Sequence, residues 1–264
     1  MASRYYADRP IQYRPEAASR VTLTGSEAHH LIHVMRASKG RTVVLFDGSG
    51  AEFPSRVDRV GRSDVELTVL TRREADRELP RRVSLAVSLP KGDRQRWLVE
   101  KAVELGVAEL IPVAMLRSVT QPVRQALERL RRVVVEASKQ CGRNRLMQIA
   151  EPMEWPDFVE ATRDRAHRLL AHPQGSEAAH WAAAAHNRSK DDVEVGRHAV
   201  SEGLPEVTNQ VVVAVGPEGG FAPEETTAAT AAHWRLVDLG PRILRTETAA
   251  ILMVALAAHA RSRR

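Results

Sequence analysis

The chain has 264 residues, of which 43% are hydrophobic and 27% charged, a composition typical of a globular protein with room for two domains. Lysine and arginine total 39 against 33 acidic residues, and arginine supplies most of the net charge of +6. Arginine contacts phosphate through paired hydrogen bonds and stacks on bases, so this excess favours an RNA ligand, although an arginine-rich proteome explains composition alone equally well.

Cysteine usage and the polar N-terminus narrow the class of protein further. Cys141 is the single cysteine, which excludes a disulfide framework and a cysteine-based zinc site and predicts a small buried helix residue rather than a nucleophile. Residues 1–10 are polar, and no signal peptide or long apolar span is evident. We therefore expect a cytoplasmic protein that does not bind membranes.

Residues 1–74 are predicted to form a small β-barrel with one helix. A strong turn signal at residues 47–50 separates a strand from a shorter one at 51–53. One helix is expected over residues 26–38, with Ser26 as its N-cap. The other strand-like runs are residues 21–23, 42–46 and 65–70.

A charged linker, residues 75–82, separates this barrel from a domain of a different pattern, residues 83–264. Strands and helices alternate there, which favours a mostly parallel α/β sheet. The region 174–209 is predicted to hold a helix and a long surface excursion. Strands are predicted at residues 83–89, 109–114, 168–171, 210–215 and 235–239, and helices at 93–105, 122–141, 223–233 and 246–260.

Three predicted loops follow strands of this sheet and therefore share the edge where open α/β sheets bind ligands. They are residues 169–173, 215–221 and 239–249. Gly216, Gly219 and Gly220 allow a ligand to approach backbone amides, but the same glycines suit an ordinary tight turn, and the loop has neither a Walker A nor a dinucleotide pattern.

The last of these loops is more specific. Arg242 and Arg245 place two guanidinium groups at the predicted start of the final helix, where Thr246 or Thr248 can cap and Glu247 favours the positive helix end. Capping with a salt bridge is the simpler interpretation. Two arginines beside a glycine loop favour anion or RNA binding.

Five runs of the sequence resemble the bacterial small-subunit ribosomal RNA uridine-N3 methyltransferase family. They cover both domains in order: EAHHLIHVMRASKGRTVVLFDGSG, LPKGDRQRWLVEKAVELGVAELIPV, EASKQCGRN, VGPEGGF and LGPRILRTETA. The resemblance implies the SPOUT superfamily, a PUA-like N-terminal barrel, a C-terminal trefoil knot, S-adenosylmethionine as cofactor and a homodimer. Its substrate would be 16S ribosomal RNA or the small ribosomal subunit.

The same resemblance assigns the three loops to the cofactor, largely through backbone and apolar groups. The residues expected to contact S-adenosylmethionine are Leu170, Ala171, His172, Val215, Gly216, Pro217, Glu218, Gly219, Leu239, Gly240, Ile243 and Leu244. Methylation of uridine N3 requires loss of a proton. Position alone suggests Glu247 as the general base and Arg245 as the partner of the uracil oxygens.

RNA contacts are expected from basic and polar residues on both domains. The candidates are Arg4, His30, Arg36, Arg41, Lys91, Arg94, Gln140, Arg143, Asn144 and Arg145, although a solvated surface explains any single arginine as well. His29, His30 and His33 could suggest a metal, but no third ligand is evident, and packing or RNA contact is the preferred interpretation. The apolar stripe of residues 251–258 is predicted to be core and dimer interface.

Two rival functions remain open. A non-catalytic RNA-binding or ribosome-assembly protein of the same fold would not need S-adenosylmethionine. A nucleotide-phosphate enzyme would need a lysine near the glycine loop, and the sequence has none there.

Overall fold

A computed structural model describes residues 3–118, 124–165, 167–174 and 210–259. The excursion expected at 174–209, apart from Gln174, lies outside these residues, and so does Pro122, where a helix was predicted to begin. The chain divides into two compact units. Unit 1 comprises Met1–Glu78 and Val135–Leu146, and unit 2 comprises Leu79–Val134 and Met147–Arg264. The division near residue 78 falls within the predicted linker, whereas the inclusion of 135–146 in unit 1 was not predicted.

Unit 1 is a six-stranded sheet in the order β1-β3-β4-β5-β2, with β6 pairing to β4. The pairing of β1 with β3 is parallel and the other pairings are antiparallel. Side chains alternate between core and surface along β5, as a half-buried strand requires. The strands are β1 Arg4–Tyr6, β2 Ser19–Leu23, β3 Thr42–Phe46, β4 Ala51–Val60, β5 Val65–Val69 and β6 Arg73–Glu74.

The prediction of a single helix over residues 26–38 is wrong in its bounds and in its N-cap residue. The structure has α1 at Gly25–His29, which continues as one π-helical turn at His30–Val34. Thr24 occupies the N-cap, without a side-chain cap bond. The amide of Met35 donates to the carbonyl of His30 at 2.9 Å. This five-residue spacing is that of a π-helix, whereas the prediction assumed the four-residue spacing of an α-helix.

Unit 2 contains a seven-stranded sheet in the order β10-β8-β7-β12-β11-β13, with β9 pairing to β8. Each of these pairings is parallel, which confirms the predicted parallel α/β sheet. The very short β9 and β10 were not predicted because two residues carry no periodic signal. The strands are β7 Arg82–Val87, β8 Glu109–Ala114, β9 Gln148–Ile149, β10 Met153–Glu154, β11 His167–Ala171, β12 Gln210–Val215 and β13 Arg235–Val237.

Five further helices lie within the described residues: α2 Asp93–Glu104, α3 Arg124–Cys141, α4 Trp155–Ala161, α5 Pro223–Ala231 and α6 Thr246–His259. Gly92, with φ of +65°, caps α2, so Asp93 is the first helical residue and not the cap. A left-handed backbone at the cap favours glycine, and the Asp93 carboxylate then faces the positive end of the helix.

An aromatic cluster anchors one side of the unit 2 sheet. Trp155 packs against Phe158, Phe221 and Trp234, with ring centroids 5.0–5.9 Å apart. These rings are buried with Leu170 on β11 and Val212 on β12. Phe221 ends the glycine loop, so the core fixes that loop at one end.

Candidate functional site

The three predicted ligand loops follow β11, β12 and β13, which are neighbours in the sheet. Leu170 is in register with Ala214 of β12, and Ala171 with Val237 of β13. Because parallel strands end at the same edge, their loops meet there. They line a cavity of about 530 Å³.

The structure brings nearly all the predicted cofactor residues to this cavity. Those that line it are Ala171, His172, Val215, Gly216, Pro217, Glu218, Gly219, Leu239, Gly240, Ile243 and Leu244. Leu170 is fully buried in the core beneath them, so its side chain supports the site from below.

Glycine is favoured at Gly216 because the Phe221 ring approaches its backbone closely. A Cβ there would lie 3.0 Å from Cε2 of Phe221. Glycine is favoured at Gly220 for a different reason, because its φ is +68°, a left-handed backbone conformation. Its amide donates to the carbonyl of Pro217 at 2.8 Å. The loop therefore turns tightly above a buried ring.

Arg117 and Glu225 hold the end of this glycine loop. Arg117 donates to the carbonyls of Gly219 at 2.9 Å and Phe221 at 3.3 Å. The buried Glu225 carboxylate accepts the amides of Leu116 and Ala222, each at 2.8 Å. Segment 116–117, which follows β8, is thus bonded to the loop that follows β12.

The two residues proposed for catalysis lie near the cavity, but neither belongs to its lining residues. Glu247 is buried in the first turn of α6, and Arg94 lies 3.7 Å from its Oε2. Arg245 is exposed immediately before that helix. Arg94 also donates to Glu218 at 2.9 Å, so it bonds to the glycine loop, whereas the sequence suggested that it contacts RNA.

His172 contributes an imidazole to the cavity wall. Its Nδ1 accepts a hydrogen bond from the amide of Gln174 at 3.2 Å. Burial lowers the pKa of His172 below its usual value of 6.5, because the cation loses solvation. The side chain is therefore neutral at pH 7 and adds no positive charge to the cavity.

Two of the expected RNA-binding residues, Arg143 and Asn144, are buried within unit 1, and the partly buried Arg4 bonds to one of them. Arg143 is 4% exposed and donates through Nε to Glu78 at 3.0 Å. Asn144 is 2% exposed, donates to the carbonyl of Ala75 at 3.0 Å and accepts from Arg4. Their burial argues against direct RNA contact and corrects the expectation of an exposed rim, which rested on residue type and did not consider burial.

The other RNA candidates differ in their exposure. His30 is half-buried, with its ring centroid 5.8 Å from that of Tyr5. Arg41 is half-buried and donates to the carbonyl of Met35 at 2.8 Å. The exposed candidates are Arg36, Lys91, Gln140 and Arg145.

The rings of His29 and His33 lie 4.7 Å apart, but no cluster of three or more metal-ligating side chains occurs within the described ranges. None of the helices described is both long and apolar enough to cross a membrane. Cys141 is half-buried at the end of α3.

Three residues that line the cavity lie outside the three predicted loops: Arg117, Gln174 and Asp238. Arg117 follows β8 and Asp238 follows β13. Their position after a parallel strand was the available signal, whereas the inward direction of Phe221 and Ala249 depends on tertiary packing.

Comparison with known proteins gives two family matches. An RNA methyltransferase domain matches residues 77–258, and an RNA methyltransferase PUA domain matches residues 23–70. A ribosomal RNA small subunit methyltransferase E from Synechocystis sp. is 32% identical, over 89% of this chain and 71% of that protein.

Two of the similar solved structures contain S-adenosylmethionine. One is a Legionella pneumophila protein with the bound cofactor SAM, at a TM-score of 0.78 and 28% identity, covering 98% of each chain. The other is a ribosomal RNA small subunit methyltransferase E from Neisseria gonorrhoeae bound to S-adenosyl methionine. It has a TM-score of 0.78 and 25% identity, over 97% of this chain and 96% of that one.

Proposed function

Because the chain belongs to the RNA methyltransferase family that contains the bacterial ribosomal RNA small subunit methyltransferase E proteins, we propose that it methylates N3 of one uridine in 16S ribosomal RNA. The methyl donor is S-adenosylmethionine, which is bound in two structures of the same architecture. The observation that carries the proposal is the single cavity formed by the loops after β11, β12 and β13.

The residues of this cavity fit the cofactor. Ala171, Val215, Leu239 and Leu244 offer apolar surface, and the Gly216–Gly219 segment of the glycine loop also lines the cavity. The cofactor supplies an electrophilic methyl group on a sulfonium. The neutral His172 adds no further positive charge beside that sulfonium.

Within the chain, the catalytic requirement is to bind the base and to remove the N3 proton. We propose Arg245 as the group that stabilises negative charge on the uracil oxygens, because it is exposed at the start of α6. Glu247 is the proposed base, and its carboxylate is held beside Arg94. If Glu247→Gln methylates RNA at the normal single-turnover rate, Glu247 is not the base.

RNA binding is proposed for the exposed candidates on each unit, Arg36 and Gln140 on unit 1 and Lys91 on unit 2. N3 of a paired uridine is hidden, so the target nucleotide must be unpaired or displaced from its stack. Substitution of these residues should lower RNA affinity without changing cofactor affinity.

Three finer features complete the proposal. We propose that the three cavity loops are parts of a trefoil knot, because segments far apart in sequence converge on one site.

We further propose a homodimer with α6 at the interface, where Leu252 is 37% exposed. The site of action is the cytoplasm, where small ribosomal subunits are assembled.

The decisive experiment is mass mapping of 16S ribosomal RNA from cells with and without the gene. We expect one uridine to lose a methyl group, and the released nucleoside to be 3-methyluridine in wild-type cells. Complementation with the wild-type chain should restore it. Unchanged RNA, combined with no binding of S-adenosylmethionine in titration calorimetry, would instead support the non-catalytic assembly protein.

A further inference from the structure

Arg94 occupies the first turn of α2 and contacts two carboxylates from distant parts of unit 2. One of its guanidinium nitrogens lies 2.9 Å from Oε1 of Glu218 and 3.7 Å from Oε2 of Glu247. Glu218 belongs to the glycine loop after β12, and Glu247 to the start of α6. A single cation therefore joins two of the three loops that line the cavity.

The two carboxylates that Arg94 contacts differ in burial. The side chain of Glu247 is 9% exposed, whereas that of Glu218 is 46% exposed. Among the described residues, Oε2 of Glu247 accepts no hydrogen bond, so the guanidinium of Arg94 at 3.7 Å compensates its charge. A buried carboxylate without a cation is strongly unfavourable, so Glu247 holds Arg94 in place.

Held at this position, Arg94 can restrain the glycine loop through Glu218. Gly216, Gly219 and Gly220 make that loop flexible in principle, and Arg117 bonds only to its far end, at Gly219 and Phe221. The Arg94–Glu218 bond fixes the middle of the loop. A pre-ordered loop loses less conformational entropy when a ligand binds.

We propose that Arg94 is a positioning residue, which orders the glycine loop for S-adenosylmethionine by bridging Glu218 to the buried Glu247. It acts through Glu218 and does not contact RNA. This inference rests on the proposed function, because it takes S-adenosylmethionine as the ligand of the cavity.

The first test is a double-mutant cycle in the full chain with Arg94→Gln, Glu218→Gln and the double variant. Calorimetry measures the dissociation constant of S-adenosylmethionine. We expect each single change to weaken binding by about fivefold, and the double variant to be no weaker than the weaker single variant. Independent losses that multiply would overturn the proposal, and so would unchanged binding by Arg94→Gln.

A second measurement needs no cofactor. Amide hydrogen exchange of residues 216–221 in the cofactor-free protein should be faster in Arg94→Gln than in wild type. Arg94→Lys should restore part of the protection because it keeps the charge. Equal exchange in wild type and Arg94→Gln would overturn the proposal even if the proposed methyltransferase function stands.

Arg96→Gln is the matched control. Arg96 lies on the same helix, is 68% exposed and pairs with Glu100 at 2.8 Å on the helix surface. We expect wild-type cofactor affinity and loop exchange for this variant. RNA affinity measured with a 16S fragment should also be unchanged in Arg94→Gln, and a loss of RNA affinity with intact cofactor binding would overturn the positioning role.

The outcomes separate the two proposals. If wild type fails to bind S-adenosylmethionine, the proposed function fails, while the exchange experiment still tests whether Arg94 orders the loop. If wild type binds it and the cycle shows independent effects, only the role of Arg94 is rejected. Equal melting temperatures of the variants exclude a general loss of folding as the cause.

Discussion

The hydroxyl of Thr246 donates a hydrogen bond to the carbonyl of Gly216 at 3.2 Å. Thr246 is 2% exposed, so this bond lies in the interior, where it joins the start of α6 to the start of the glycine loop. The sequence had suggested either Thr246 or Thr248 as the cap of this helix. In the structure, the Thr246 side chain joins the third cavity loop to the second.

Loss of this bond should cost stability and cofactor affinity together. Thr246→Val keeps the shape of the side chain but removes the donor to Gly216. We expect a destabilisation of about 1 kcal/mol, or a melting temperature lower by about 3 °C. Thr248→Val, at an exposed position of the same helix, is the control and should leave both quantities unchanged. A wild-type melting temperature for Thr246→Val would contradict the assignment.

Gly216 should not tolerate a side chain while Phe221 is present. The added Cβ of Gly216→Ala would lie 3.0 Å from the Phe221 ring, which is itself packed 5.0 Å from Trp155. We expect a destabilisation of about 2 kcal/mol in urea unfolding and weaker binding of S-adenosylmethionine. Adding Phe221→Leu should recover part of the loss because it removes the clashing ring atoms. If Phe221→Leu recovers none of the lost stability, contact with the Phe221 ring is not the cause of the destabilisation.

Cofactor affinity should fall at acid pH because of His172. Its folded pKa is below 6.5, so the imidazole is neutral at pH 7 and becomes a cation only as the pH falls below that value. The new charge would repel a sulfonium. Folding stability changes in the same direction, since the unfolded chain takes up the proton more readily than the folded one.

The test of this pH effect is calorimetry between pH 5 and pH 8. Wild type should bind S-adenosylmethionine less tightly at pH 5 than at pH 7, whereas His172→Asn should show a flatter profile. Asparagine retains an acceptor that can bond to the amide of Gln174 but carries no titratable group. An equally steep acid limb in both proteins would show that another group controls it.

Arg143 should contribute to the stability of unit 1. Arg143→Gln removes a buried cation from the partly buried Glu78, and we expect a loss of about 3 kcal/mol in the free energy of unfolding. Urea unfolding measures this change. Gln140→Ala, at an exposed position close in sequence, should have little effect. If Arg143→Gln has the wild-type free energy of unfolding but binds RNA more weakly, Arg143 contacts RNA directly.

Local sequence signals predicted much of the fold. The runs 42–46, 109–114 and 210–215 appear as β3, β8 and β12 with the predicted bounds, because strand propensity and the flanking turns agree there. The short β1, β6, β9 and β10 were not predicted, because segments of two or three residues give little sequence signal and depend on a partner strand for their hydrogen bonds. The three-residue β13 was predicted, but as the longer run 235–239. The π-helical turn after α1 breaks the regular period on which helix prediction relies.

The sequence by itself determined the alternation of strands and helices, the glycines of the loop after β12 and the motifs that mark an RNA methyltransferase. These are local properties of backbone preference and residue order. Only the tertiary structure decided which side chains face the cavity, that Arg143 and Asn144 are buried, and that Arg94 lies between Glu218 and Glu247. Burial and pairing join residues more than one hundred positions apart, and the spacing of residues along the chain does not contain that information.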